Sequence, residues 1–361
     1  MAIFTHTPTF DVVVYGSTSG AVAASIQSAK LGLNVALVSP QEHIEETPLT
    51  DLSSGGIQIE GLGATDIDNQ AEVFNSTTVG GLALEFHRRI STYYNRLPRL
   101  EEMVAKNIKD VEVWRFESRV AEQIILEWLA EFDNITIIFG SLAATDSVTK
   151  KGSEVCSIAL RSKQIVLGKI FIEASYEGDL LAASKVTTTH GRESSSTFNE
   201  SLAGVRDNTT YTQLNVDIDP FNTPKDPCSG LIYGISTEPF GKVGDGDKHL
   251  AAYSFRLPLT DVVENRLPFY KPDGYNPAHF ELHRRFVRSG GQLYTPKIRL
   301  PGQKTDLIGS EAPLATDLLG MNDGWATGSE EQRKEILEDT AHFTKGLLYF
   351  FANDECLPVS N

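Results

Sequence analysis

The sequence predicts an α/β fold: a nucleotide-type βαβ domain at the start of the chain, followed by a second, mostly β domain of the kind that binds substrate. Three observations lead there. Residues 11 to 40, DVVVYGSTSGAVAASIQSAKLGLNVALVSP, run from a β-branched segment through small residues into an Ala-rich segment and out into a second apolar run. A further buried-type strand, KIFIEAS, stands at 169 to 175. From about residue 206 Pro, Asp, Asn and Gly become frequent and the apolar runs short and alternating, as in LIYGIS and AAYSFRLPL, which is the texture of short strands and turns.

In order along the chain, 11–15 reads as a fully buried parallel strand, because a short unbroken apolar run ends at a glycine turn. Residues 20–31 read as a helix closed by Gly32, and 34–38 as the next strand, completing one βαβ unit. Residues 41–78 are polar, Gly-rich and aperiodic, and so read as a long loop. Residues 79–95 read as a helix, and so do 117–132, where Val120, Ile124, Ile125, Trp128 and Leu129 share one face. A strand (ITIIFG), a hairpin around Lys150-Lys151-Gly152 and the 169–175 strand follow. Residues 301–328 are loop-rich. Residues 329–353 form an amphipathic helix that opens with Ser329-Glu-Glu-Gln332, the spacing of a capping box.

Composition narrows the function. With 48 acidic against 32 basic residues the formal charge is −16, which opposes non-specific binding to nucleic acid. The three cysteines, Cys156, Cys228 and Cys356, are far apart and make neither a disulfide framework nor a Cys-rich metal site. The amino terminus has no basic and apolar leader pattern and no run reaches membrane-spanning length. The expectation is a cytoplasmic protein with a small-molecule substrate, no metal, and neither nucleic acid nor membrane as partner.

The turn after the first strand is the chemical centre of this reading. A strand that passes straight into a helix aims backbone N–H groups and the positive helix end at an anion. Small residues let a pyrophosphate approach, and a side chain at Gly16 would occupy that space. Here the turn is Gly16-Ser-Thr-Ser-Gly-Ala21 rather than G-x-G-x-x-G. Thr18 takes the place of the second glycine and offers a hydroxyl to a phosphate. Ser39 stands where an acid would bind a ribose. A plain strand–helix turn without ligand is the alternative, and the surrounding βαβ context favours the nucleotide.

Several segments together resemble a family of FAD-dependent oxidoreductases with a glutathione-reductase-type FAD domain. They are DVVVYGSTSGAVAASIQSAKLGLNVALVSPQEHI (11–44), GGIQIEGLGATDIDNQ (55–70), VGGLALEFHRRI (79–90), VWRFESRVAEQ (113–123), FIEASYEGDLLAAS (171–184), THGRESS (189–195), ESLAGVR (200–206) and GGQLYTPKIRLPG (290–302). The resemblance implies a Rossmann-like FAD/NAD(P)-binding domain over 1–205, a β-rich substrate-type domain over 206–300, and a 301–361 loop-plus-helix segment returning toward the first domain. It implies extended, non-covalent FAD with its pyrophosphate at Gly16, Thr18, Ser19 and Gly20 and Ser39 near the ribose. His43, Gly55, Gly56, Gly61, Gly63 and Asp66 are expected to approach the ribityl chain and flavin ring. Val120 would meet adenine through its backbone. Ala174, Ser175, Glu177, Gly178 and Asp179 would form a second chain passage near the phosphates. Family members run from His43-Ile44 directly into Gly-Gly, so 45–54 reads as an insertion. They also continue past the LLYFFANDECLP segment, so the chain reads as shortened.

The implied activity is hydride transfer from a small organic substrate to flavin. A shortened, inactive homologue and an NAD-linked dehydrogenase are the alternatives, the latter disfavoured by Ser39. No CxxC or CxxxxC stands beside the flavin segments, which argues against a disulfide reductase. His43, Tyr176, His190 and Arg192 are candidate acid–base groups, though a structural hydrogen bond or a surface position is the plainer role for each.

Overall fold

Val12, Val13, Val14 and Tyr15 alternate between the two faces of a sheet, and both faces are buried. That double burial is why the strand reads as an unbroken apolar run. The computed structural model describes residues 9–40, 79–108, 110–144, 146–207, 209, 213–255, 257–293, 298–307 and 314–357. The predicted 41–78 loop, the 45–54 insertion and the candidates His43, Gly55, Gly56, Gly61, Gly63 and Asp66 lie outside the described residues.

Strand β1 (Thr9–Tyr15) leads into helix α1 (Ser19–Lys30) and strand β2 (Val35–Ser39). Gly32 sits at φ +79 just past the helix and donates its N–H to Ala29 O, as the sequence predicts for that glycine. Four more helices, α2 (Gly81–Tyr93), α3 (Leu97–Lys106), α4 (Val111–Trp114) and α5 (Ser118–Leu129), precede β3 (Ile135–Phe139). Then come β4 (Val148–Lys151), β5 (Glu154–Ala159), β6 (Ile165–Glu173) and the short α6 (Asp179–Ala183). These six strands form one sheet in the order β3-β2-β1-β6-β5-β4. β3, β2, β1 and β6 run parallel, while β4 and β5 are an antiparallel extension.

Two cores sandwich this sheet. Val12, Val14, Val35 and Leu37 meet Ile26 of α1, Phe86 and Ile90 of α2, and Ile125 and Trp128 of α5 on one face. Val13, Tyr15, Ala36 and Val38 meet Ile138, Ile158, Leu160, Val166 and Leu180 on the other. Each fully buried aliphatic side chain contributes roughly 1.5–3 kcal/mol, so the central strands are the stability of this unit. Arg299–Lys304 also belong to it, by way of Lys304 Nζ, which pairs with Glu117, and Arg299 O, which accepts from Arg115 Nη1 at 3.2 Å.

The chain divides into Met1–Thr188 with Arg299–Lys304, and Thr189–Ile298 with Thr305–Asn361. In the second unit the stretch predicted to be β-rich is mainly irregular. LIYGIS makes one isolated bridge, Leu231 to Phe221, and the AAYSFRLPL run supplies part of β7 (Leu257–Thr260). Helix α7 (Glu281–Arg288) and helix α8 (Glu330–Asn353) belong to this unit, while strands β8 (Ile298–Leu300) and β9 (Lys304–Leu307) each fall partly in Arg299–Lys304 of the first. The predicted capping box is present: Ser329 Oγ accepts from Gln332 N at 3.3 Å and Gln332 Oε1 from Ser329 N at 2.8 Å. Phe343, Leu347 and Phe350 of α8 pack with Phe280. Among the described residues no helix is long and apolar enough to cross a membrane.

Candidate functional site

The carboxyl ends of β1 and β6 lie side by side, with Tyr15 opposite Glu173. β1 is also the strand where sheet order departs from chain order, and open α/β sheets bind ligands outside the strand ends at such a point. From Tyr15 the chain must turn at once. Gly16 donates its N–H to Val38 O at 2.9 Å and adopts φ +136. A Cβ there would lie 2.0 Å from Ala174 O and 2.5 Å from Ser175 N. Gly16 is therefore demanded by the approach of two backbone passages to each other, before any ligand is considered.

Thr18 is the N-cap of α1. Its Oγ1 accepts from Ala21 N at 3.2 Å and donates to Ala174 O at 2.8 Å. This corrects the expectation that the hydroxyl serves a phosphate: its one proton goes to the neighbouring turn. Of the first-turn N–H groups, Ala21's is taken by Thr18 Oγ1 and Val22's by Thr18 O at 3.1 Å, which leaves Gly20's to face an anion. Gly20 and Ser19 are exposed, no acidic residue stands in the first turn, and the nearest atom to a Cβ at Gly20 would be Thr18 Oγ1 at 3.4 Å. A pyrophosphate fits this helix start through the Gly20 N–H and the helix dipole.

The turn after β6 holds itself together. Glu173 folds back so that Oε1 accepts from Ser175 N at 2.6 Å and Oε2 from Leu180 N at 2.7 Å. Ser175 Oγ accepts from Gly178 N at 3.0 Å, and Gly178 takes φ +71 to start α6. Ala174 and Ser175 are thus brought against Gly16 and Thr18, while the N–H groups of Ser175 and Gly178 are committed within the turn. Glu177 and Asp179 are half-buried on it. Beneath, the Tyr15 hydroxyl accepts from Leu142 N at 3.3 Å. Burial, reinforced by the charges of Asp179, Glu173 and Glu177, pushes its pKa up.

Ser39 is buried at the end of β2, and its carbonyl accepts from Gly140 N at 2.8 Å. Val120 is the residue expected to meet adenine through its backbone. It lies in the first turn of α5, fully buried in the core, with its N–H bonded to Glu117 O at 2.9 Å. A backbone contact to adenine there would require that turn to open. Tyr176 is 70% exposed. His190 is half-buried, and its carbonyl accepts from Lys248 Nζ at 3.3 Å. Arg192 is tied to Asp247 by side chain and by a reciprocal backbone bridge, and this pair holds its guanidinium pKa above the ordinary value. These last two belong to the second unit and have structural partners.

Beside the start of α1 lies a cavity of about 410 Å³, lined by Ser19, Gly20, Val22 and Ala23, by Val79, Leu82, Ala83, Phe86 and His87, and by Ile125 and Trp128. Its walls are apolar with a polar rim at the helix start, the usual make-up of a small-molecule pocket. Sequence reasoning missed Glu173, whose role depends on how the chain folds back. It also missed the cluster in which Glu117 accepts from Tyr94 Oη and pairs with Lys304. Among the described residues no group of three His, Cys, Asp or Glu side chains is arranged to hold a metal ion.

No curated protein sequence matches the chain. Among solved structures, the GidA-related protein from Thermus thermophilus is similar at 11% identity over 47% of this chain and 54% of that one, with a TM-score of 0.26. L-proline dehydrogenase from P. horikoshii shares 11% identity over 52% of this chain and 59% of that one, with a TM-score of 0.31. L-amino acid deaminase from Proteus vulgaris shares 13% identity over 51% and 52%, with a TM-score of 0.29. The chain spans less than two thirds of the length of each of these structures. The family model described as FAD dependent oxidoreductase matches residues 11–357, so the chain belongs to that family and FAD is its cofactor.

Proposed function

We propose that this chain binds FAD non-covalently and passes to it a hydride taken from a small organic substrate. The observation that carries the reading is the start of α1, where a Gly20 backbone free of side-chain obstruction and a helix without first-turn acid open beside an apolar cavity. FAD supplies the two-electron acceptor. The chain's own residues position and shield. The Gly20 N–H and the positive end of α1 hold the pyrophosphate. Gly16 and Thr18 fix the direction of that helix against the β6 turn, and Glu173 keeps that turn shaped. Non-covalent attachment is supported by the cysteines: Cys156 is on β5, Cys228 in a 3-10 turn at Pro227–Ser229, Cys356 follows α8, and none of the three is among the residues that line the cavity.

The test is the visible absorbance spectrum of the purified chain before and after denaturation. A flavin band near one per chain, released into the supernatant by acid, is expected. Anaerobic addition of small alcohols and amines to that material should then bleach the band with the right donor. A folded, colourless chain that added FAD does not colour would overturn the reading and favour an inactive homologue.

A further inference from the structure

In the second unit His249 stands between two carboxylates. Its Nδ1 is 2.6 Å from Asp323 Oδ2, and its Nε2 is 2.9 Å from Glu238 Oε2. A carboxylate only accepts, and a neutral imidazole carries a single N–H, so both contacts are hydrogen bonds only when the ring holds two protons. We propose that Glu238, His249 and Asp323 form a proton-dependent clasp, closed over the 236–243 loop when the ring is charged and released at the Glu238 arm when it is neutral.

The fixed half of the clasp is well built. Asp323 Oδ1 accepts from Leu250 N at 2.9 Å, Asn322 Oδ1 from Tyr253 N at 3.2 Å, and Asn322 Nδ2 donates to Ala251 O at 2.9 Å. These bonds strap residues 322–323 along 250–253, and Asn322 is buried. The His249 N–H donates to Asp247 Oδ1 at 3.1 Å, which fixes the backbone that carries the ring. The other half is a loop. Its ends are anchored where Ile235 N donates to Ile232 O and where Gly244 N donates to Val205 O. Between those anchors Glu238 reaches across to His249, and Phe240 and Val243 are 66% and 58% exposed.

The charges around the ring settle the direction of the switch. Asp323, then Asp247 and Glu238, favour the imidazolium and hold the His249 pKa above its ordinary value. The cations nearby are engaged elsewhere: Arg192 pairs with Asp247, and Lys248 Nζ donates to His190 O. A histidine whose pKa is raised by its partners keeps their contribution at low pH and loses it as pH rises through the raised value. On deprotonation the remaining proton stays on Nδ1, because Asp323 is nearer and less exposed than Glu238 (29% against 63%). The Nε2 lone pair then faces the Glu238 carboxylate, and that contact becomes repulsive.

The experiment is a pH titration of the isotope-labelled full chain. Long-range 1H–15N correlation reads the His249 tautomer, and amide protection factors, corrected for intrinsic exchange, report on residues 237–243. His249 should titrate above the ordinary histidine value, end as the Nδ1–H tautomer, and lose several-fold protection in the loop over the same pH range. Glu238→Gln should lower the His249 pKa yet keep the loop protected throughout, because an amide accepts from the charged ring and donates to the neutral one. An ordinary His249 titration, an Nε2–H tautomer, or loop protection in the wild-type chain that ignores the titration would each overturn the clasp.

Discussion

The Thr18 hydroxyl donates to the carbonyl oxygen of Ala174 at 2.8 Å, joining positions 156 residues apart. One side chain therefore caps α1 and ties the turn after β1 to the turn after β6. Thr18→Ala removes both bonds and should lower stability by about 2 kcal/mol, roughly one for the cap and one for the tie. Thr18→Ser keeps both and should fall within about 0.5 kcal/mol of the parent. Urea unfolding of the two variants checks this; equal losses would show that the methyl group, not the hydroxyl, matters.

Gly16 and Gly20 separate the fold from the ligand. The sequence suggested that a side chain at 16 acts by filling pyrophosphate space, but a Cβ there meets the Ala174 carbonyl first. Gly16→Ala should therefore cost the folded protein itself. Gly20→Asp is the sharper test. A carboxylate in the first turn stabilises the helix by about 0.3–1 kcal/mol, while it repels a bound phosphate. Stability should hold or rise as FAD affinity falls about tenfold, roughly 1.4 kcal/mol. Measured by FAD titration, unchanged affinity would remove the pyrophosphate from this helix start.

What could be read from the sequence was local. The β1–α1–β2 unit announces itself through an unbroken apolar run, a glycine turn and an Ala-rich helix, and Ser329 and Gln332 announce α8, because these signals lie within a few residues. Helix α7 was hidden because Leu282, His283 and Phe286 are its buried residues and they sit in a Pro- and Asn-rich stretch. The Thr18–Ala174 bond, the Glu173 fold-back and the His249 clasp depend on where distant turns land, which no periodicity encodes. Val120, by contrast, was legible as core, because it shares one face of α5 with Ile124, Ile125, Trp128 and Leu129, and all five are buried.

Glu117 is 9% exposed, accepts from the Tyr94 hydroxyl at 3.0 Å and pairs with Lys304 Nζ. Lys304→Met should leave a nearly buried carboxylate short of its main counter-charge. A loss of about 1–3 kcal/mol is expected, below the full effect for a buried pair because Lys304 is partly exposed. Glu117→Gln with Lys304→Met should recover most of it. A double-mutant cycle in denaturant measures the coupling, and additive losses would show that the pair contributes nothing of its own.

His283 gives the second unit an acid sensitivity. Its ring is 3% exposed among Phe280, Phe343, Phe350 and Phe351, and neither ring nitrogen has a hydrogen-bond partner among the described residues. Burial, with a smaller push from the Arg284 charge, brings its pKa down to about 4 from 6.5. Below pH 6.5 the unfolded chain takes up a proton that the folded chain refuses, so stability is full above that value and falls as pH drops toward 4. Below 4 both states are protonated and the fall ends. The shift corresponds to roughly 3 kcal/mol lost across that window. His283→Leu fills the same apolar site with no titrating group and no unpaired polar atom. Its unfolding free energy should lose that part of the slope between pH 6.5 and 4, with stability at neutral pH equal to or above the parent's. Denaturant melts at several pH values decide the matter: parallel pH profiles for the two proteins would mean that His283 is protonated inside the folded core.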